Sequence, residues 1–199
     1  MLRMRITIIG SINMKRHHIA SIAVVSSSIL VFGIAFAAQD RFTLKSPIGI
    51  SFSEVKGYER WQMVGSSQPD NSSGCGTSKN PGCIKSILGN PVAIEMYAKD
   101  IPSNGKPVPD GAVFAKIEWE KAYDTVPYGV TVPGNLAEVG FMMKNTKRFP
   151  KTDGWGYATF QYDASSDRWT AKSDDGASCH ACHTIVKARD FLFTSYPKR

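Results

Sequence analysis

Cys179-His180-Ala181-Cys182-His183, close to the end of a 199-residue chain, constrains the fold more than any other stretch. Two thiols and an imidazole at i, i+3 and i+4 share one face of a helical turn. The fold must therefore present a short helix late in the chain, with space in front of that face. C-x-x-C-H is the attachment pattern of covalently held haem: the thiols join the vinyl groups and the histidine is directed at the iron. Two rival chemistries use similar residues. A four-cysteine zinc site would need Cys75 and Cys83 as its second knuckle, but seven residues separate them, where two to four are usual. A thioredoxin-like dithiol belongs after a strand early in a βαβ unit, not near the C-terminus.

The N-terminus indicates the compartment. Residues 1–38 carry Arg3, Arg5, Lys15 and Arg16, hold no acid, and run apolar from Ile19 to Ala38. Ala35-Phe36-Ala37 is a small-x-small end suited to signal peptidase. The stretch reads as an export signal cut after Ala37 or Ala38, with Met14 an alternative start. An uncleaved anchor is the competing assignment, since the run is nearly long enough to span a bilayer; the serines at 26–28 and the Ala-x-Ala end favour cleavage. Residues 39–199 then form one periplasmic domain, with no membrane attachment after cleavage. The full chain has 24 basic and 17 acidic residues, a net charge of +7. Four of the basic residues leave with the signal, so the exported part carries +3. It shows no dense basic stripe with interleaved aromatics, and nucleic acid is not an expected partner.

Export bears on the ligands too. His17 and His18 leave with the signal, so only His180 and His183 remain. His183 is the expected iron ligand. His180, between the cysteines, projects off the haem-facing side. The opposite axial position cannot be histidine. Met63, Met96, Met142 or Met143 filling it would make an electron carrier, whereas an open position admits a small molecule. Cys75 and Cys83, in a Gly/Asn/Pro-rich loop of an exported chain, are expected to pair as a disulfide.

The remainder reads as α+β: a predominantly antiparallel sheet, a few flanking helices, and a C-terminal helical turn carrying the motif. Tyr58–Ser67 reads as strand-like. Asn90 is a good N-cap and Pro91 a good first helical residue, giving a helix to about Lys99. Strands are expected over Ala112–Lys121, Leu136–Lys144 and Trp155–Tyr162, with one helical turn at 145–149 stopped by Pro150. The C-terminal segment 191–197 reads as extended. In the first of these strands Val113, Ala115, Ile117 and Trp119 form one apolar face, and Phe114, Lys116, Glu118 and Glu120 the other. By pattern alone Lys116 is an ordinary solvent-facing lysine.

In blocks from about Tyr58 to Pro197 the chain resembles the cytochrome P-460 family, small periplasmic c-type cytochromes that include hydroxylamine-oxidising members and cytochrome c′-β. The blocks are RWQMVG, ILGN, PDGAVFAK, FMMKNTKRF, GWGYATF, the late C-x-x-C-H and FLFT. The resemblance implies one covalent haem c, a homodimer, His183 on the iron and an open distal face. It further implies that Lys116 matches a strand lysine bonded to the macrocycle in the hydroxylamine oxidisers; the c′-β relatives lack that lysine and bind nitric oxide or carbon monoxide. A free lysine, near pKa ~10.4, is protonated and not nucleophilic, and burial against haem is expected to release its proton. Where the oxidisers carry a distal glutamate this chain has Gly140, and Glu138, two residues earlier on the same strand face, is the substitute. Its alternative is an exposed carboxylate, in which case Phe114, Phe141 and Met142 simply cap the iron. Hydroxylamine or nitric oxide is the small-molecule partner implied, and a small cytochrome the redox partner.

Overall fold

The alternation over residues 113–120 is the spine of a six-stranded sheet. A computed structural model describes residues 39–69, 82–124, 129–173 and 176–198. The export signal expected over 1–38 lies outside the described residues. The strands are β1 (Gln62–Ser67), β2 (Cys83–Gly89), β3 (Val113–Asp124), β4 (Val130–Lys144), β5 (Trp155–Asp163) and β6 (Arg168–Ala171). They pair in sequence order, every pair antiparallel. Helix α1 (Pro91–Ala98) connects β2 towards β3, and α2 (Ala177–His183) follows β6. The fold is α+β with strands dominating, as the sequence indicates.

One face of the sheet is closed by the chain that precedes it. Short 3-10 turns at Phe52–Val55 and Tyr58–Arg60 lay Phe52 and Tyr58 onto it. Phe52 is fully buried, in edge contact with Phe141 at 5.7 Å and tilted against Phe160 at 4.6 Å. Each such ring contributes roughly 1.5–3 kcal/mol through area removed from water. Arg148 clamps the segment down, donating to both Glu54 carboxylate oxygens and to the Gly49 carbonyl. A Cβ on Gly156 would run into the Phe149 ring, so that ring packs directly on backbone.

The other face holds Phe114, Met142, Trp155 and Tyr157, covered in part by α1 and by Phe191 and Leu192. Asn90 caps α1 as expected, its side chain accepting from the Ala93 N–H at 3.0 Å.

Four local expectations need correction. Tyr58–Arg60 is a 3-10 turn, opened by left-handed Gly57 at φ 85°, and the strand begins only at Gln62. β4 begins at Val130 rather than Leu136. Register passes from Glu118↔Glu138 through Trp119↔Leu136 to Lys121↔Pro133, so β4 absorbs one extra residue at each step and continues through Pro133, irregularities that turn-like residues conceal. The helical turn at 145–149 is present, closed by the Phe149 N–H on the Asn145 carbonyl, but Pro150 does not end the turning there; it opens the 3-10 turn Pro150–Thr152. β2 and β6 join the sheet at stretches the sequence does not mark as strands. Cys83 is buried and disulfide-bonded, which removes it as a zinc ligand; its expected partner, Cys75, lies outside the described residues.

Candidate functional site

Helix α2 approaches β5 at close range. A Cβ on Gly176, its left-handed N-cap, would come within 3.0 Å of Tyr157 Cβ. Between α2 and the sheet lies a cavity of about 310 Å³. Cys179 and His183 border it from the helix; Phe114, Lys116, Gly140 and Met142 border it from β3 and β4. The sequence spreads these groups from Phe114 to His183, and the antiparallel pairing of β3 with β4 brings the sheet wall together: Phe114 opposes Met142, and Lys116 opposes Gly140.

His183 is oriented by the backbone beside it. Its Nδ1 lies 2.6 Å from the Phe191 carbonyl oxygen. A carbonyl only accepts, so Nδ1 carries the proton and Nε2 the lone pair. Burial pushes the imidazole below its ordinary value, while the bond to Phe191 works the other way. The ring is thus neutral with a free donor atom, the form an iron ligand requires. Cys179 is half-buried and Cys182 exposed, and neither is in a disulfide. Among the described residues no group of three or more His, Cys, Asp or Glu side chains could hold a metal ion. The donor set fits haem instead: two thiols, one oriented imidazole, and a wall with apolar Phe114 and Met142.

Lys116 reaches the cavity within a cluster of charges. Its Nζ is 3.2 Å from Glu138 Oε1 and 3.4 Å from Glu118 Oε2. Lys172 holds the other Glu138 oxygen at 3.1 Å, and Lys85 holds Glu118 at 3.3 Å. Burial alone pushes the Lys116 ammonium down, as the sequence reasoning supposes. Glu138 and Glu118 outweigh it, and the net direction is upward. Held by these two carboxylates, Lys116 is an ammonium. Glu138 is raised by burial but lowered further by Lys116 and Lys172, so it is ionised. Gly140 leaves room for the lysine stem, since a Cβ there would touch Lys116 Cε at 3.4 Å.

The candidate residues do not all share this surface. Phe114 and Met142 do. Phe141 borders the cavity, but its ring turns to the opposite face, packed on Phe52, Tyr58 and Phe160. Successive strand residues point to opposite sides, so Phe141 and Met142 cannot both cap one iron. Glu138 is not among the residues bordering the cavity; it stands behind Lys116. Of the candidate methionines, Met142 alone borders the cavity; Met143 faces the closed side, Met96 packs in α1, and Met63 is exposed. His180 does more than fill a position: its Nε2 is 3.3 Å from Asp153, and its ring stacks on Phe191. Three contributors escape sequence reasoning. Tyr157 lies 5.3 Å from the His183 ring and Phe193 4.9 Å; alternation in GWGYATF marks Tyr157, but nothing local marks Phe193. Glu118 is legible as the same-face neighbour of Lys116.

Compared with known protein families, residues 55–194 match Cytochrome P460. No curated protein matches the chain.

Proposed function

This chain belongs to the cytochrome P460 family, and on that premise we propose that it is an exported, mono-haem c-type cytochrome oxidising hydroxylamine, or handling a related nitrogen oxide, in the periplasm. Cys179 and Cys182 would tether the haem and His183 Nε2 would ligate its iron, with Phe114 and Met142 as apolar lining of the same cavity. Bound haem supplies an iron that takes a small nitrogen ligand and passes electrons onward, here to a small cytochrome. The observation that carries this reading is Lys116, brought to the cavity that His183 borders and held there by two carboxylates. Lys116 presents a positive charge and N–H donors to a bound ligand. Glu138 is kept ionised beside it and accepts protons that hydroxylamine must lose, relayed past the lysine.

Optical spectroscopy of the exported, haem-loaded protein tests this. Should Lys116, once deprotonated, bond to the macrocycle, a haem C–H and an amine N–H give way to a C–N bond and two electrons and two protons pass to an external oxidant; the ferrous Soret band is then unusually red-shifted, and Lys116→Leu returns it to an ordinary c-type position. An ordinary spectrum in the unmodified protein removes the lysine-modified form. The absence of Glu138 from the cavity wall favours a second role, binding nitric oxide or carbon monoxide without turnover. Hydroxylamine-dependent reduction of an electron acceptor, lost in Glu138→Ala, supports the enzyme; tight gas binding with no such reduction supports the alternative.

A further inference from the structure

Asp190 takes no part in the chemistry described above, yet it is among the most heavily bonded side chains in the molecule. It follows the 3-10 turn Thr184–Arg189 that continues α2. One carboxylate oxygen accepts from Lys144 Nζ at 2.9 Å and from Trp155 Nε1 at 3.1 Å. The other accepts from the Val108 N–H at 2.6 Å and again from Lys144 at 3.1 Å. These donors come from the end of β4, the start of β5 and the loop before β3. Lys144 is nearly inaccessible, its side chain 5% exposed, and the Asp190 side chain is 13% exposed. Lys144 Nζ also donates to the Asp153 carbonyl and lies 4.8 Å from the centre of the Trp155 ring.

The backbone here is unusual. Asp190 and Phe191 both have positive φ, 44° and 66°. For a bulky side chain such as phenylalanine that conformation is an outlier, and it persists only where the surroundings over-determine it. The bonds at Asp190 supply that determination, and the residue whose carbonyl is thereby aimed is Phe191. Its oxygen receives the His183 Nδ1–H at 2.6 Å.

Resting on the reading that His183 ligates haem iron, we infer that Asp190 is a positioning residue for that ligand. Lys144, Trp155 and Val108 pin the carboxylate; the pinned carboxylate holds the left-handed pair 190–191; the pair keeps the Phe191 carbonyl on Nδ1. The consequence is electronic as well as geometric. A strong acceptor at Nδ1 increases the basicity of Nε2 and fixes the ring plane. A more basic imidazole favours the ferric over the ferrous state, so Asp190 tunes the iron without touching it.

Haem-loaded Asp190→Asn is the decisive variant, read by the ferrous iron–histidine stretch in resonance Raman and by the midpoint potential. The amide keeps the shape but loses the charge that balances Lys144. The stretch should fall and broaden, and the potential should rise. Trp155→Phe, which removes one donor and leaves the ion pair intact, should move both in the same direction by less, and decides alone if the first variant does not fold. Arg148→Ala serves as the structural control: it releases bonds to Glu54 and the Gly49 carbonyl on the closed face, so it should loosen the fold without moving either signal. Unmoved stretch and potential in the Asp190 and Trp155 variants overturn the inference, as does an equal shift in the control. A wild-type protein with no iron–histidine stretch would instead refute His183 as the ligand.

Discussion

The two faces of the sheet are built from the same strands and to opposite ends. On the closed face, Phe52, Tyr58, Phe141, Phe160 and Trp169 form one packed aromatic cluster. On the open face, at the same depth along β3 and β4, stand Lys116, Glu118 and Glu138. Packing on the closed side lets the open side carry polar groups that stabilise little by themselves. Ion pairs that are partly desolvated return much less than buried rings, because the cost of removing charge from water offsets the attraction. The closed face determines whether the chain folds, and the open face what it can bind.

Breaking the closed face should have the largest effect. Phe52→Ala removes the ring at the centre of that cluster and should cost about 3–5 kcal/mol in denaturant unfolding. Haem-loaded protein that remains folded should keep its optical spectrum, because no Phe52 atom borders the cavity among the described residues. A smaller, differently placed effect is expected from Glu118→Gln. Glu118 is 8% exposed and accepts from both Lys85 and Lys116; neutralising it should cost about 1–3 kcal/mol. Unlike the aromatic change, it should also alter the spectrum, since Lys116 loses one of the two groups that place its amine. Equal spectral silence in both variants would erase the distinction between the faces.

The closed face was far easier to read from residues than the open one. Alternation over β3 assigns sides correctly, and Asn90-Pro91 marks α1 because a cap is a local event between neighbours. Phe141 and Met142 are neighbours in β4, so strand geometry sends them to opposite faces and forbids them to share one site. The charge state of Lys116 was not legible in the same way. Glu118 lies on its own strand, two residues on, but Glu138 arrives through the β3–β4 register. That register is irregular beyond Glu118, where β4 absorbs its extra residues. Likewise, the contact of His183 with Phe191 depends on two left-handed residues that no sequence period announces. Local signals mark most of the elements and the C-x-x-C-H motif. The electrostatics came from long-range pairing.

The finest difference between the faces should appear with pH. Glu138 titrates below its ordinary 4.5 in the folded protein. It therefore contributes stability that is present above that value and lost as pH falls through the depressed one. Lys116 titrates above its ordinary 10.5, so its contribution is present below that value and lost as pH rises through the raised one. The closed side has a counterpart in Glu54, which its bonds to Arg148 hold low, so wild-type acid unfolding draws on both faces. Glu138→Gln isolates the open one. With Lys116 partly open to solvent, the loss at pH 7 should be about 0.5–1 kcal/mol. Followed by urea midpoints from neutral pH downward, the gap between wild type and variant should hold until about pH 4.5 and then close as the wild-type carboxylate protonates. Glu54→Gln should show the same sign. Only the Glu138 change should also weaken the high-pH limb, where Lys116 would otherwise keep its proton. A gap that stays constant to low pH would mean that Glu138 acts through packing rather than charge, and the contrast between an aromatic face and an ionic one would fail at the residue where it is sharpest.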